Sequence, residues 1–192
     1  MKTFAAPAML SAALTCAPAH AAAPPAFALD CRYVSNAPRA ELDAHPACAA
    51  RQGDTFRIAP AHLKAMRYWR GLAEVAIDGQ WHYVKRTGQL LAVLTSDNGA
   101  DPFEEGLTRA RVNGKIAFYD RALRQKLPPA YDWAWPFRDG RALVCTGCRP
   151  GPWETERHTP IIGGLWGCID RNGKQTIAVT HTPQQPIDCA AP

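Results

Sequence analysis

Serine is scarce in this sequence, which removes one common type of catalytic group. After residue 21 the only serines are Ser35 and Ser96, and neither lies in the G-x-S-x-G pattern of serine hydrolases. A glycine-rich phosphate-binding loop is also lacking, because the Asn-Gly-Lys runs are typical of hairpin turns. A catalytic site would have to be assembled from separate loops, so we expect a protein that is not an enzyme, and a hydrolase is the weakest of the alternatives.

Long apolar segments and blocks of like charge are lacking as well. No stretch after the N-terminus approaches the ~20 apolar residues of a transmembrane helix. The chain has 22 Lys+Arg and 17 Asp+Glu, and its basic residues are scattered, with no basic block beyond Lys85-Arg86. Scattered positive charge is typical of a solvated surface. We therefore expect no membrane span and no nucleic-acid partner.

The N-terminus has the features of a targeting segment. Lys2 is the only charged residue before Asp30, and the apolar stretch behind it ends in the small-residue sequence Ala19-His20-Ala21. A basic start, a short apolar segment and an A-x-A ending are typical of a secretory signal peptide. We predict a signal peptide at 1–21, cleavage before Ala22, and a periplasmic or secreted protein.

Six cysteines follow this segment. They are Cys31, Cys48, Cys145, Cys148, Cys168 and Cys189. An even number of cysteines in an oxidising compartment indicates three disulfides, although sequence alone does not fix the pairing. Proximity along the chain favours Cys31–Cys48, and the pairing of the other four stays open.

Three segments of the sequence are similar to one another. Gly71, Gly106 and Gly140 stand 35 and 34 residues apart. An aromatic residue lies three positions before each of them, namely Tyr68, Phe103 and Phe137. Such a period indicates tandem repeats.

The third unit carries an insertion. Trp81 and Ile116 follow the glycines of the first two units by 10 residues, whereas the equivalent Trp166 follows its glycine by 26. About 16 extra residues therefore lie within 146–162, and we expect them to form a polar, proline-rich loop.

Each unit has the chemistry of β-hairpins. Asp78-Gly79, Asn113-Gly114 and Asn172-Gly173 tolerate the positive φ values of tight turns, and the flanking segments are rich in Val, Ile, Tyr and Trp. Each unit is therefore predicted to be a three-strand antiparallel meander. One meander alone cannot bury its apolar face, so the units must stack or share a sheet.

This pattern resembles the bacterial WG-repeat family. Trp166-Gly167, followed by CIDRNGKQTI, matches the family's repeat, and LPPAYDWAWPFRDG, which ends at Gly140, is similar to its inter-repeat stretch. The first unit has Trp81-His82 in place of Trp-Gly, and the second has Ile116-Ala117. The resemblance covers about residues 65–180. It implies a binding or scaffold module and supplies no catalytic residues.

We therefore predict an all-β fold of tandem antiparallel meanders with a small, partly helical N-terminal cap. The cap spans 22–64, the repeats about 65–97, 98–129 and 130–182, and the C-terminal tail 183–192. Within the cap, one short helix is expected after Asn36, broken at Pro46, and another at Pro60. His82 takes the position of the family's glycine and is expected to face solvent or a neighbouring unit.

The pair Cys145-x-x-Cys148 allows three interpretations. A thioredoxin-like redox site would need the pair at the start of a helix, but here it follows a predicted strand. A zinc site could add His158 and Cys168, although Cys189 would then be left unpaired. We favour structural disulfides that join the insertion to the third unit and to the C-terminal tail, and we expect no metal or cofactor.

Tryptophans are the best candidates for a binding surface. Trp133 and Trp135 would share one face of a strand, because Ala134 separates them. Trp81 and Trp166 are expected in the core between repeats. Exposed tryptophans stack on sugar rings or apolar partners, so we expect an unidentified protein or a cell-wall carbohydrate as partner. The predicted binding residues are Trp135, Trp153, Glu156 and His158.

Overall fold

The structure is a computed structural model that describes residues 26–152 and 159–190. The predicted signal peptide lies outside the described residues. Strands make up most of the described chain. In order, the elements are β1 (Leu29–Val34), β2 (Leu42–Gln52), β3 (Thr55–Ile58), α1 (Pro60–Ala65), β4 (Leu72–Ile77), β5 (Gln80–Lys85), β6 (Leu90–Ala92), β7 (Thr95–Ser96), β8 (Gly99–Ala100), β9 (Leu107–Val112), β10 (Lys115–Asp120), β11 (Gln125–Tyr131), β12 (Trp133–Ala134), β13 (Arg141–Pro150), β14 (Ile161–Asp170) and β15 (Gln175–His181).

The strands form three main antiparallel sheets. The first has the order β3-β2-β1-β4-β5-β6, the second β11-β10-β9, and the third β12-β13-β14-β15, while β7 and β8 form a small hairpin in the linker after the first sheet. The predicted all-β fold of meanders is thus confirmed. Turns at the three Asx-Gly dipeptides connect β4 to β5, β9 to β10 and β14 to β15.

The N-terminal segment is more extended than its sequence suggests. The helix predicted after Asn36 is wrong, because Leu42–Gln52 forms β2 and pairs with both β1 and β3. The register between β1 and β2 shifts where Leu29 pairs with Ala49 and Cys31 with His45. Pro46 lies within this bulge, where a residue without an N–H is tolerated. The second helix is confirmed as α1, with Pro60 at its first position.

Apolar layers hold the first sheet on both of its faces. On one face, Val75 and Ile77 pack with the N-terminal strands around Tyr33. On the opposite face, Tyr83 packs against residues of the following segment, including Leu123 of the second unit. The expectation that His82 faces solvent or a neighbouring unit is wrong. His82 is 3 % exposed, and its ring meets that of Phe56 in the N-terminal strand β3 edge-on, with centroids 5.6 Å apart.

The second and third sheets enclose the next layer. Ile116 and Phe118 pack against Val144 and Ile169. We call the face of each sheet that meets the following segment of chain its outer face. On the outer face of the third sheet, Trp166 stands in the position that Ile116 has in the second, and the C-terminal tail covers it.

The insertion of the third unit extends a hairpin. The ladder between β13 and β14 continues through Cys148↔Gly163 and Pro150↔Ile161. Cys145-x-x-Cys148 therefore lies inside a strand and not at its end, and the expectation that a loop begins there is wrong. Residues 153–158, at the tip of the insertion, lie outside the described residues. No helix in the described ranges is long and apolar enough to cross a membrane.

Candidate binding surface at the end of the repeats

An aromatic cluster occupies the outer face of the third sheet. Trp133 pairs with Cys145 across β12 and β13, and Cys145 pairs with Trp166 across β13 and β14. These three side chains lie on one face because residues directly opposite in a ladder share a face. Leu143 and Ile187 pack against the same cluster. The tail after β15 thus lies on an apolar surface, as a further repeat unit would.

Two disulfides cross-link the strands and the tail that form this surface. Cys145 bonds to Cys148 within β13, and Cys168 bonds to Cys189, with Cα atoms 6.1 and 5.6 Å apart. The first joins the insertion to the third unit and the second joins the tail to β14, as the structural interpretation predicts. The third disulfide, Cys31–Cys48, confirms the pairing favoured by proximity.

The disulfides also bear on the zinc alternative. Cys145, Cys148 and Cys168 are all oxidised, so none of them is the thiolate that zinc requires. The fourth predicted ligand, His158, lies outside the described residues. Among the residues that the structure describes, no group of three or more His, Cys, Asp or Glu side chains is placed to hold a metal ion.

Asp132 holds the bend between the two cysteines of β13. Its Oδ2 accepts a 2.6 Å hydrogen bond from the N–H of Gly147, and its Oδ1 pairs with Lys115 Nζ at 2.6 Å. The hydrogen bond from Lys115 and that from the Gly147 N–H lower the pKa of Asp132. Through Lys115, β10 is thereby linked to the residue that precedes Trp133 and to the bend at Gly147.

Two adjoining clefts open beside Trp135. The first, of about 330 Å³, lies between β14 and the tail, and the second, of about 570 Å³, lies between β13 and the tail. Both are lined by Trp135, Leu143 and Ile187. The indole of Trp135 is 44 % exposed and meets that of Trp133 edge-on, with ring centroids 5.6 Å apart. One indole is therefore held by packing while its remaining surface stays open to a ligand.

Polar groups border the second cleft. Arg138 and Asp139 lie on one side, and Asp188 lies on the tail. Arg141 donates a 2.8 Å hydrogen bond from Nη1 to the carbonyl oxygen of Cys189 and so fastens the tail at this end. The clefts combine an apolar floor with a few charged groups at the rim, which is the usual composition of a binding site.

Of the predicted binding residues, Trp135 lies in the clefts. Trp153, Glu156 and His158 lie outside the described residues. Trp166 is 8 % exposed, but the C-terminal tail covers it, so it lies in the core of the end face and not between two repeats as expected. Its Nε1 donates to the carbonyl oxygen of Gly163 at 2.9 Å. Trp81 packs against the cluster around Tyr83 but is only partly buried.

One exposed aromatic residue was missed by the sequence analysis. Trp69 is 72 % exposed, more than Trp135. It stands two residues before Gly71, and the equivalent positions in the other repeats hold Glu104 and Arg138. Charged residues at both equivalent positions indicate an exposed site, so the alignment of the repeats contained the signal.

Comparison with known proteins gives one match. Residues 118–147 match the family model described as WG containing repeat, and this stretch runs from β10 through β11 and β12 into β13. No curated protein and no solved structure matches the chain.

Proposed function

We propose that the protein is an exported, non-catalytic binding module of the bacterial cell envelope, a role consistent with the match of residues 118–147 to the WG containing repeat. Its binding surface is the pair of clefts around Trp135. The observation that carries the proposal is the half-exposed indole of Trp135, which lines both clefts on a surface connected by two disulfides.

Export is supported by the state of the cysteines. All six cysteines after residue 21 are paired in disulfides. Stable disulfides are typical of secreted and periplasmic proteins and rare in the reducing cytosol. The basic start and the A-x-A ending of residues 1–21 support the same address.

A binding role is supported by the construction of the end face. Tryptophan supplies a large contact area at low entropic cost and is enriched at the energetic centres of interfaces. The sheet beneath Trp135 and the disulfide of the tail limit its freedom before a partner arrives. A prearranged surface loses less entropy on binding than a flexible one.

Export is tested by the intact mass of the protein isolated from the periplasm. We expect a chain that starts at Ala22, takes up no alkylating reagent before reduction, and takes up six adducts after it. Free thiols in the untreated protein, or a mass that includes residues 1–21, would contradict export with three disulfides.

Binding is tested by a photo-crosslinking amino acid placed at position 135 in cells. The control is the same amino acid at Lys126, which is exposed on β11. We expect a discrete cross-linked product from position 135 and none of that mass from position 126. Equal products at both positions, or none at either, would contradict a binding surface at Trp135.

A further inference from the structure

A second surface lies on the outer face of the first sheet, far along the chain from Trp135. The first sheet has six strands, and the second has three. The segment that follows the first sheet packs against Leu72 of β4 and Tyr83 of β5. The outer side chains of β1 and β2, including Asp30 and Arg32, remain exposed. A step is thereby formed where the covered half of the sheet meets the bare half.

The floor of this step is a row of side chains across four strands. Ala44 pairs with Arg32, Arg32 with Ala76, and Ala76 with Trp81. The two alanines flank Arg32, and Trp81 stands at the end of this row; all four residues line one cleft. Two clefts of about 310 and 700 Å³ adjoin here, and both are lined by Leu42, Trp81 and Asn98. We call this continuous feature the step groove.

One end of the step groove is aromatic. Trp69 and Trp81 both line the smaller cleft, together with the carboxylate of Glu74 and the guanidinium of Arg67. The backbone N–H of Trp69 donates to Leu72 O at 2.7 Å, and the N–H of Leu72 donates back to Trp69 O at 3.1 Å. The backbone that carries the exposed indole is therefore fixed to the start of β4.

The other end of the step groove is acidic. Its lining holds three carboxylates, those of Asp30, Asp78 and Asp97, and the single guanidinium of Arg32. Asp78 also forms a surface ion pair with Arg51. This excess of carboxylates contrasts with the net charge of +5 of the whole chain.

We propose that the step groove binds an oligosaccharide that carries free amino groups, with its sugar rings on Trp69 and Trp81 and its ammonium groups at Asp30 and Asp97. A pyranose ring has an apolar C–H face that stacks on indole, and its hydroxyl groups suit the side chains of Glu74, Asn98 and Arg67, which line the same cleft as the two tryptophans. The acidic end is complementary to the positive charge of an amino sugar.

An extended basic peptide fits this surface less well. Peptides bind to sheets mainly by adding a strand at an open edge, where backbone groups are unpaired. The step groove lies across β2, β1, β4 and β5, all of which have a neighbour on both sides in the first sheet. Its floor therefore offers side chains for recognition and few free backbone partners.

The proposal is independent of the function assigned to the Trp135 clefts, and its test uses purified, oxidised full-length mature protein. The probes are the hexamer of glucosamine and the hexamer of N-acetylglucosamine, measured by isothermal titration calorimetry at low and moderate salt. We expect the glucosamine hexamer to bind about tenfold more tightly, a difference of 1.4 kcal/mol. Its affinity should fall as salt screens the carboxylates.

Two pairs of variants locate the site. Trp69→Ala should weaken binding of the glucosamine hexamer by about tenfold or more, as expected for truncating an aromatic anchor. Leu165→Ala removes an exposed apolar side chain of the third sheet and should leave the affinity unchanged. The double change Asp30→Asn with Asp97→Asn should abolish the preference for the glucosamine hexamer, whereas Asp54→Asn, in the turn after β2, should retain it.

Three results with the two sugar hexamers would overturn the proposal. They are no measurable binding of the glucosamine hexamer, unchanged affinity in Trp69→Ala, and equal affinity for the N-acetylated hexamer. Hexalysine serves as a further probe, and if it binds as tightly as the glucosamine hexamer, the groove recognises charge alone and the proposal fails. Each variant is first checked by its thermal unfolding midpoint, which should stay near that of the parent because Trp69, Asp30 and Asp97 are exposed.

Discussion

At the scale of single residues, the most consequential polar contact is the buried pair Asp101–Arg109. Their side chains are 1 and 8 % exposed, and Arg109 Nε donates to Asp101 Oδ2 at 3.1 Å. Arg109 Nη1 also donates to the carbonyl oxygen of Ala134 at 2.8 Å, so the second repeat is joined to β12 of the third. The guanidinium lies 5.6 Å from the ring centre of Trp133, next to Trp135.

Arg109→Leu should lower the free energy of unfolding by about 3 kcal/mol or more, because it leaves a buried carboxylate without its partner. Denaturant unfolding of parent and variant measures the difference. The matched control is Arg51→Leu, which removes an exposed ion pair with Asp78 and should cost less than about 1 kcal/mol. Equal losses in the two variants would show that the buried pair has no special role between the repeats.

Two histidines link stability to pH. Burial lowers the pKa of His82, and backbone groups of Gln80 and Val75 oppose this shift. Burial, and then the neighbouring charge of His45, lowers the pKa of His62, whose Nδ1 lies 2.9 Å from the hydroxyl of Tyr33. In both cases the unfolded chain takes up a proton more readily than the folded one.

The free energy of unfolding should therefore fall as the pH falls from the pKa of histidine in the unfolded chain, about 6.5, toward the lower pKa values of these histidines in the folded protein. Below those lower pKa values the loss of stability is complete. Urea unfolding at a series of pH values between 7.5 and 5, approximately the range in which histidine titrates, measures the slope. His82→Gln should flatten the profile. A flat profile in the parent would contradict the prediction.

At the scale of elements, the hairpin β13–β14 continues into the segment that the sequence predicted to be a loop. Gly147, Gly163 and Gly164 all have positive φ, and they lie where the ladder continues past Cys145. A Cβ atom at Gly164 would lie 2.6 Å from the carbonyl oxygen of Thr146 and 2.7 Å from Cys145 Sγ. The two strands can approach this closely only because position 164 has no side chain.

Gly164→Ala should therefore destabilise the protein by about 3 kcal/mol or more, since backbone atoms have to move in addition to the strain of a positive φ. The control is its neighbour Gly163→Ala, which has the same φ of 71° and nothing within 4 Å of its added Cβ. This variant should lose only about 1 kcal/mol. Thermal and denaturant unfolding compare the two variants. Similar losses of stability would show that the strain of a positive φ, and not the close contact at position 164, causes the destabilisation.

Local chemistry explains which elements could be predicted from the sequence. Asp78-Gly79 and Asn113-Gly114 specify tight turns by themselves, so the meanders were predictable without knowledge of the rest of the chain. Strand β2 was not, because Pro46 argues against a strand and the bulge that accommodates it depends on pairing with β1. Tertiary contacts, including the Cys31–Cys48 disulfide, decide the conformation of this segment.

In the candidate sites, too, features set by local sequence were predictable and features set by tertiary contacts were not. That Trp135 shares a face with Trp133 was predictable from alternation, because only Ala134 separates them, and their rings do meet. The exposure of Trp69 was indicated by Glu104 and Arg138 at the equivalent positions. The step groove was not predictable, because it depends on the different widths of the first and second sheets, which no local pattern contains. The bond between Cys145 and Cys148 was also open, because six cysteines allow many pairings and only the fold brings Cys168 next to Cys189.

At the scale of the whole molecule, the first and third sheets are each extended or covered in a different way. The first unit is widened by the N-terminal strands, which the Cys31–Cys48 disulfide joins to one another. The third unit is covered by its C-terminal tail, which the Cys168–Cys189 disulfide attaches to β14. Terminal units of repeat proteins need such covers because their outer faces would otherwise expose apolar surface to water.

Replacing both Cys168 and Cys189 by alanine should release the tail from the outer face of the third sheet. The disulfide closes a sequence separation of 21 residues, so its loss should cost about 2–4 kcal/mol of unfolding free energy. Amide hydrogen exchange, measured by mass spectrometry, should show faster exchange in 183–190 with little change in β9 and β10. Cross-linking from position 135 should fall, because Ile187 would no longer line both clefts.

The matched control is the double alanine variant of Cys31 and Cys48, whose disulfide has a similar sequence separation of 17 residues. It should lose a comparable amount of stability and yet leave exchange in 183–190 and cross-linking from position 135 unchanged. If the Cys168/Cys189 variant kept slow exchange in the tail, then packing of Ile187 and the hydrogen bond from Arg141 would suffice to hold it. The clefts would then be a property of the sheet and not of its disulfide.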